Sequence, residues 1–189
     1  YSKNFAKILD KYCDIILVGD SLGSVLYNYD STRKVSLNTM VEHSRSVKMG
    51  IKKILVTGSA GLIGTQVVKD LLDNQMQVYS CYNKNKPELG ITTHLDLTSK
   101  EDIVNTINKI KPNVVIHLGA ITDVELCEKE KELTKKINIT ATEILALESE
   151  KNNIFLIYMS TDYVFDGKLG MRKEEDEPNP INFYGKSKL

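Results

Sequence analysis

The chain has 189 residues, enough for one well-buried core or one core with a satellite piece. Its 25 Lys and Arg balance 25 Asp and Glu, so no basic excess points to nucleic acid or an anionic membrane. No run approaches the ~20 apolar residues of a membrane span.

The opening stretch "YSKNFAKILDKYC" has a charged helical look with no small-residue cleavage site, so no signal peptide is expected. It also lacks an initiator Met, as a chain missing its true N-terminus would. Within it, Phe5, Ile8, Leu9 and Tyr12 predict an amphipathic helix. "CDIILVGDSLG" follows as a buried strand whose polar turn carries Asp20, and "LNTMVEHSRSVKMG" reads as a second helix closed by Gly50. Residues 1–50 are too short for a core of their own. Cys13, Cys81 and Cys127 are odd in number and far apart, which suits buried free thiols in a reducing cytoplasm and not a disulfide framework or zinc site.

From residue 51 the pattern becomes regular. "KKILVTG" predicts a strand covered on both faces, and Leu62, Ile63, Val67, Val68, Leu71 and Leu72 recur at helical spacing after it. "MQVYSCY" and "ITTHLDL" predict two more strands. "SKEDIVNTINKIK" predicts a helix capped by Ser99, lined by Ile103, Ile107 and Ile110, and stopped by Pro112. "NVVIHLGA" is a buried strand, a long helix is expected from about Glu130 to Glu150, and "IFLIYMS" makes the fifth strand. Five strands alternating with helices predict a Rossmann-like, doubly wound parallel α/β sheet over residues 51–189.

Chemistry gathers at the strand ends. In "VTGSAGLIG", Gly58, Gly61 and Gly64 lie three apart between a strand and a helix, the context in which backbone N–H groups cradle a pyrophosphate. The second strand ends in "SCYNKNK", where Asn83, Lys84 and Lys86 replace the acid that would favour NAD. A 2'-phosphate suits the lysines, so NADP is favoured over NAD. Asp96 follows the third strand, either toward an adenine edge or in a turn or cap role. His117, inside an apolar run, reads as a satisfied strand residue and not a base. The fifth strand delivers Ser160, Thr161 and Asp162 to the ligand-binding end of the sheet. Tyr184 and Lys188, four apart, share a helix face, where an ammonium can draw a phenol with a free pKa near ~10 into proton transfer.

The stretches "ILVTGSAGLIG", "VVIHLGAITDVELCE", "INITATEILA", "YMSTDYVFDG" and "EEDEPNPINFYGKSKL" resemble the dTDP-4-dehydrorhamnose reductases, extended members of the short-chain dehydrogenase/reductase superfamily. The resemblance implies hydride transfer from NADPH or NADH to the C4 keto group of a dTDP-sugar. Thr161 would orient the keto oxygen, Tyr184 would donate the proton, and Lys188 would tune Tyr184 and hold the nicotinamide ribose. It also implies cofactor contacts at Gly58, Ser59, Gly61, Leu62, Ile63 and Gly64, at Asn83 and Lys84, at Asp96 and Leu97, and at Gly119 and Ala120. Members of that family continue well past the Tyr-Lys pair into a substrate region. This chain is therefore expected to be a cut piece with low sugar-nucleotide turnover and a sheet edge open beside its fifth strand, inviting homo-oligomerisation or aggregation. A non-catalytic dinucleotide-binding domain is the alternative.

"AKILDKYCDIILVGDSLG" and "YDSTRKVSLNTMVEH" are similar to 3-methyl-2-oxobutanoate hydroxymethyltransferase, a (β/α)8-barrel family that uses a divalent metal, usually magnesium. That resemblance implies Asp20 as a metal ligand and Ser21 as a ketoacid contact. Two folds would then meet near residues 50–54, each incomplete.

Overall fold

The computed structural model describes residues 53–189 apart from Gln75, together with the backbone strand Ile15–Leu17. That strand is β1. It is followed by β2 (Lys53–Thr57), α1 (Leu62–Asp73), β3 (Gln77–Tyr82), β4 (Ile91–His94), α2 (Lys100–Ile110) and β5 (Val114–His117). Next come α3 (Val124–Lys129), α4 (Lys131–Thr134), a π-helical segment Lys135–Thr140, and α5 (Ala141–Lys151). The chain closes with β6 (Phe155–Tyr158), a 3-10 turn Asp162–Val164 and α6 (Phe183–Lys188).

The strands form one sheet in the order β1-β6-β5-β2-β3-β4, parallel at every pairing. The five strands from β2 onward therefore take the order 3-2-1-4-5 of a Rossmann-like sheet. The edge expected to stand open beside the fifth strand instead carries β1, with Ile15 opposite Leu156 and Leu17 opposite Tyr158. The two helices expected to flank that strand lie outside the described residues, as do Asp20 and Ser21.

Alternation along β2 builds both layers. Ile54 and Val56 face one side and pack with Val67, Val68 and Leu71 of α1. Leu55 faces the other and packs with Ile103, Ile107 and Ile110 of α2 and with Leu145 of α5. Each such side chain contributes about 1.5–3 kcal/mol on burial, so both faces of the sheet are held by the same mechanism. The expected punctuation of α2 is present: Ser99 Oγ accepts from Asp102 N at 3.2 Å, and Lys111 adopts φ 50° before the buried Pro112.

One expectation needs correction. Leu62 and Ile63 do not join the apolar face of α1; Leu62 is 94% exposed, and Ile63 is exposed too. The buried residues of α1 are Gly64, Val67, Val68 and Leu71. The long helix starts where it was expected: Glu130 (φ −111°, ψ 56°) separates it from the short α3, and the helical stretch runs from Lys131 to Lys151 with wider π-helical turns at Lys135–Thr140.

Candidate functional site

At the carboxyl end of β2 the chain turns through Gly58, whose φ of 65° suits glycine. A Cβ there would lie 2.7 Å from Gly119 N, and one on Gly64 would collide with the Gly58 carbonyl. The first turn of α1 thus lies directly against the strand end. Gly61 caps α1 without a side-chain hydrogen bond, leaving N–H groups of the first turn without an intrahelical acceptor. This turn has the geometry of an anion cradle, and a dinucleotide pyrophosphate would fit its donor set. Ser59 behaves differently from its neighbours: its Oγ donates to the Cys81 carbonyl at 2.7 Å, so its hydroxyl ties the turn to β3.

The remaining residues predicted around this cradle lie at neighbouring strand ends. Gly119 approaches so closely that an added Cβ would meet Leu97 Cδ1 at 2.7 Å and Thr57 Oγ1 at 3.2 Å, while Ala120 is half-buried beside it. Asn83, Lys84 and Lys86 are exposed beyond β3. Asp96 closes a turn: its Oδ1 accepts from Thr98 N and Thr98 Oγ1, each at 2.8 Å, and from Asn83 Nδ2 at 3.3 Å. The two bonds from Thr98, the backbone one first, hold its carboxyl below the ordinary range.

Beneath the cradle, His117 is 1% exposed and fully engaged. Thr57 Oγ1 accepts from Leu118 N (3.2 Å) and Gly119 N (3.0 Å), which directs its own proton to His117 Nδ1 at 2.7 Å. His117 Nε2 then carries the proton, donating to Thr142 Oγ1 at 3.1 Å, and Thr142 Oγ1 donates to the Asn138 carbonyl at 2.7 Å. Burial, with the charge of Lys188 adding to it, lowers the His117 pKa to about 3. It is a neutral structural residue, as its position in an apolar strand suggested.

Helix α6 brings Tyr184 and Lys188 to this end of the sheet. Asn182 Oδ1 caps it by accepting from Gly185 N at 2.7 Å, and Ser160 Oγ donates to the Lys188 carbonyl at 3.0 Å. A Cβ at Gly185 would overlap the Tyr163 carbonyl, so only glycine permits this close seating against the 3-10 turn. Tyr184 meets Tyr163 edge to face, with centroids 5.6 Å apart. Lys188 is 5% exposed, its Nζ 4.0 Å from the Tyr158 ring centroid. Burial lowers its pKa to about 8, which leaves about nine-tenths of it protonated at neutral pH. Thr161, at the end of β6, accepts from Tyr163 N at 3.3 Å and donates to Asp162 Oδ1 at 3.1 Å. Its hydroxyl is thus directed at its neighbour's carboxylate, not toward an open site.

Asn138 and Tyr158 escaped the sequence reading. Asn138 is buried in the π-helical segment; its Oδ1 accepts from Ile121 N at 2.8 Å, and its Nδ2 donates to Ile121 O and Ser187 Oγ, each at 2.9 Å. It therefore ties the loop after β5 to α6. The available signal was one Asn within a helical stretch that needs no cap there. Tyr158 looked like an ordinary strand aromatic. Among the described residues no group of three or more His, Cys, Asp or Glu is placed to hold a metal, and no helix is long and apolar enough to cross a membrane.

A family profile for the RmlD substrate binding domain matches residues 52–189. Methionine adenosyltransferase 2 subunit beta of Xenopus tropicalis is 37% identical over 139 residues, 73% of this chain and 41% of that protein. The probable low-salt glycan biosynthesis reductase Agl14 of Haloferax volcanii is 39% identical over 136 residues, 71% of this chain and 45% of its own. The Bacillus anthracis dTDP-4-dehydrorhamnose reductase, solved in complex with NADP, is similar in structure with a TM-score of 0.64 and 32% identity, over 72% of this chain and 46% of that one. The chain thus spans less than half the length of these relatives.

Proposed function

The chain belongs to the RmlD substrate binding domain family, and from that membership we propose that residues 51–189 form the cofactor-binding and proton-donating part of a reductase acting on the 4-keto group of a dTDP-sugar, with NADP preferred. The observation that carries this reading is the seating of Tyr184 and the buried Lys188 on one short helix, at the same end of the sheet as the Gly58–Gly64 cradle.

Reduction of a ketone requires a hydride at carbon and a proton at oxygen. A bound nicotinamide cofactor supplies the hydride. The Tyr184 hydroxyl gives its proton to the developing alkoxide, and Lys188, still charged at neutral pH, stabilises the phenolate that remains. Thr161 orients the keto oxygen once its hydroxyl turns from Asp162 toward it, since its current partner is an exposed carboxylate. Lys84 and Lys86, exposed beyond β3, favour a 2'-phosphate.

Calorimetric titration of the chain with NADPH and with NADH tests the cofactor half; tighter NADPH binding is expected, and failure of both at millimolar concentration would reject it. The substrate half is tested by adding a dTDP-sugar to the NADPH-loaded chain and following tyrosine resonances. Shifts at Tyr163 and Tyr184 are expected, and unmoved resonances count against it. The similarity to methionine adenosyltransferase subunits supports a second reading, a non-catalytic dinucleotide-binding domain. Cofactor binding with no response to any sugar nucleotide would favour it.

A further inference from the structure

Helix α6 has six residues, and a helix of that length is not stable on its own. Its first N–H group has no acceptor within the helix, yet the helix must hold Tyr184 and Lys188 in register. The structure supplies an acceptor from another element. Glu128, on α3, accepts from Phe183 N through Oε1 at 2.6 Å, across 55 residues of sequence. Its other oxygen lies 3.3 Å from Lys131 Nζ, and that ammonium sits 5.5 Å from the centroid of the Phe183 ring. Phe183 is thereby held twice, at its backbone by the carboxylate and at its ring by the cation that pairs with the carboxylate.

We propose that Glu128, braced by Lys131, is a positioning residue that clasps the N-terminus of α6 and so sets where Tyr184 and Lys188 sit. The assignment rests on the proposed reductase reading only for its functional meaning, because the clasp itself is a contact between α3 and α6. It is also distinct from the Asn182 cap, which serves Gly185 N and leaves Phe183 N to Glu128. The hydrogen bond from Phe183, followed by Lys131 and then the charge of Lys186, holds the Glu128 carboxyl below its ordinary range. The groups facing it from α4 and α6 are cationic, so the carboxylate is kept charged and accepting through the neutral range.

The test is residue-resolved amide hydrogen exchange on the 189-residue chain, comparing wild type, Glu128→Ala and Glu128→Gln, with NADPH titrations in parallel. Phe183 exchange is expected to rise about tenfold in Glu128→Ala, with Val115 and Leu145 in the core unchanged. Glu128→Gln, which keeps an acceptor oxygen, should recover part of the protection. Unchanged exchange at Phe183 in Glu128→Ala would overturn the proposal. So would a Gln variant as fast as Ala, or a rise spread evenly over the core. If no variant binds NADPH, the cofactor reading fails while the exchange pattern still decides the clasp.

Discussion

The Lys188 ammonium lies 4.0 Å from the centroid of the Tyr158 ring, and the same ring stacks with His117 at 5.8 Å. A cation, an aromatic face and a neutral imidazole are thus layered beneath the end of the sheet. Water is largely excluded from Lys188, so its charge is stabilised by the ring and carries a desolvation cost.

That cost has a defined pH signature. The folded pKa of Lys188 is about 8 against 10.5 for the free side chain. The unfolded chain therefore binds the proton more tightly, and the folded state is penalised below pH about 8. The penalty, on the order of 3 kcal/mol, fades as pH rises from there through the free value. Lys188→Met should raise the urea midpoint at pH 7, with the gain over wild type shrinking toward pH 10. A gain independent of pH would contradict the assignment.

His117 gives the opposite window. Its folded pKa is about 3 against 6.5, so its contribution is complete above the free value and is lost as pH falls toward the folded one. Wild type should lose on the order of 2–3 kcal/mol more than His117→Gln between about pH 6.5 and pH 4.5. Its imidazole resonances should show the Nε2-protonated neutral ring throughout that range.

Removing Asn138 should separate the loop after β5 from α6. Asn138→Ala leaves the Ile121 N–H and carbonyl and the Ser187 hydroxyl without this partner. A loss of about 1–3 kcal/mol is expected by chemical denaturation, with a weaker NADPH affinity if the proposed cofactor site is correct.

At the cradle, Gly64→Ala places a methyl against the Gly58 carbonyl. Backbone cannot yield as a side-chain end does, so destabilisation of about 1–3 kcal/mol and loss of dinucleotide binding are expected by calorimetry. Gly167→Ala serves as the contrast, because nothing lies within 4 Å of its added Cβ, although its φ of 73° still imposes backbone strain. It should lower stability without altering dinucleotide binding.

Cofactor choice should respond to Lys84, exposed beyond β3. Lys84→Glu is expected to weaken NADPH severalfold and to leave NADH nearly unchanged, as measured by paired titrations. Equal losses for both would remove the 2'-phosphate role.

Much of this protein was legible from local pattern alone. Strand alternation at Ile54, Leu55 and Val56, the Ser99 cap and the spacing of Gly58, Gly61 and Gly64 each report backbone requirements set within a few residues. Those requirements determined the parallel sheet, the position of the turn and the pairing of Tyr184 with Lys188 on one helix face. What local pattern could not decide were the partners drawn from distant segments. Leu62 looked like core because its spacing is helical, yet spacing alone does not say which turns of a helix are covered. Glu128 with Phe183, Asn138 with Ser187, and Lys188 with Tyr158 are separated by 30 to 55 residues. Hydrogen bonds and cation–π contacts depend on ångström-scale distance and direction, and only the assembled fold fixes those across such separations.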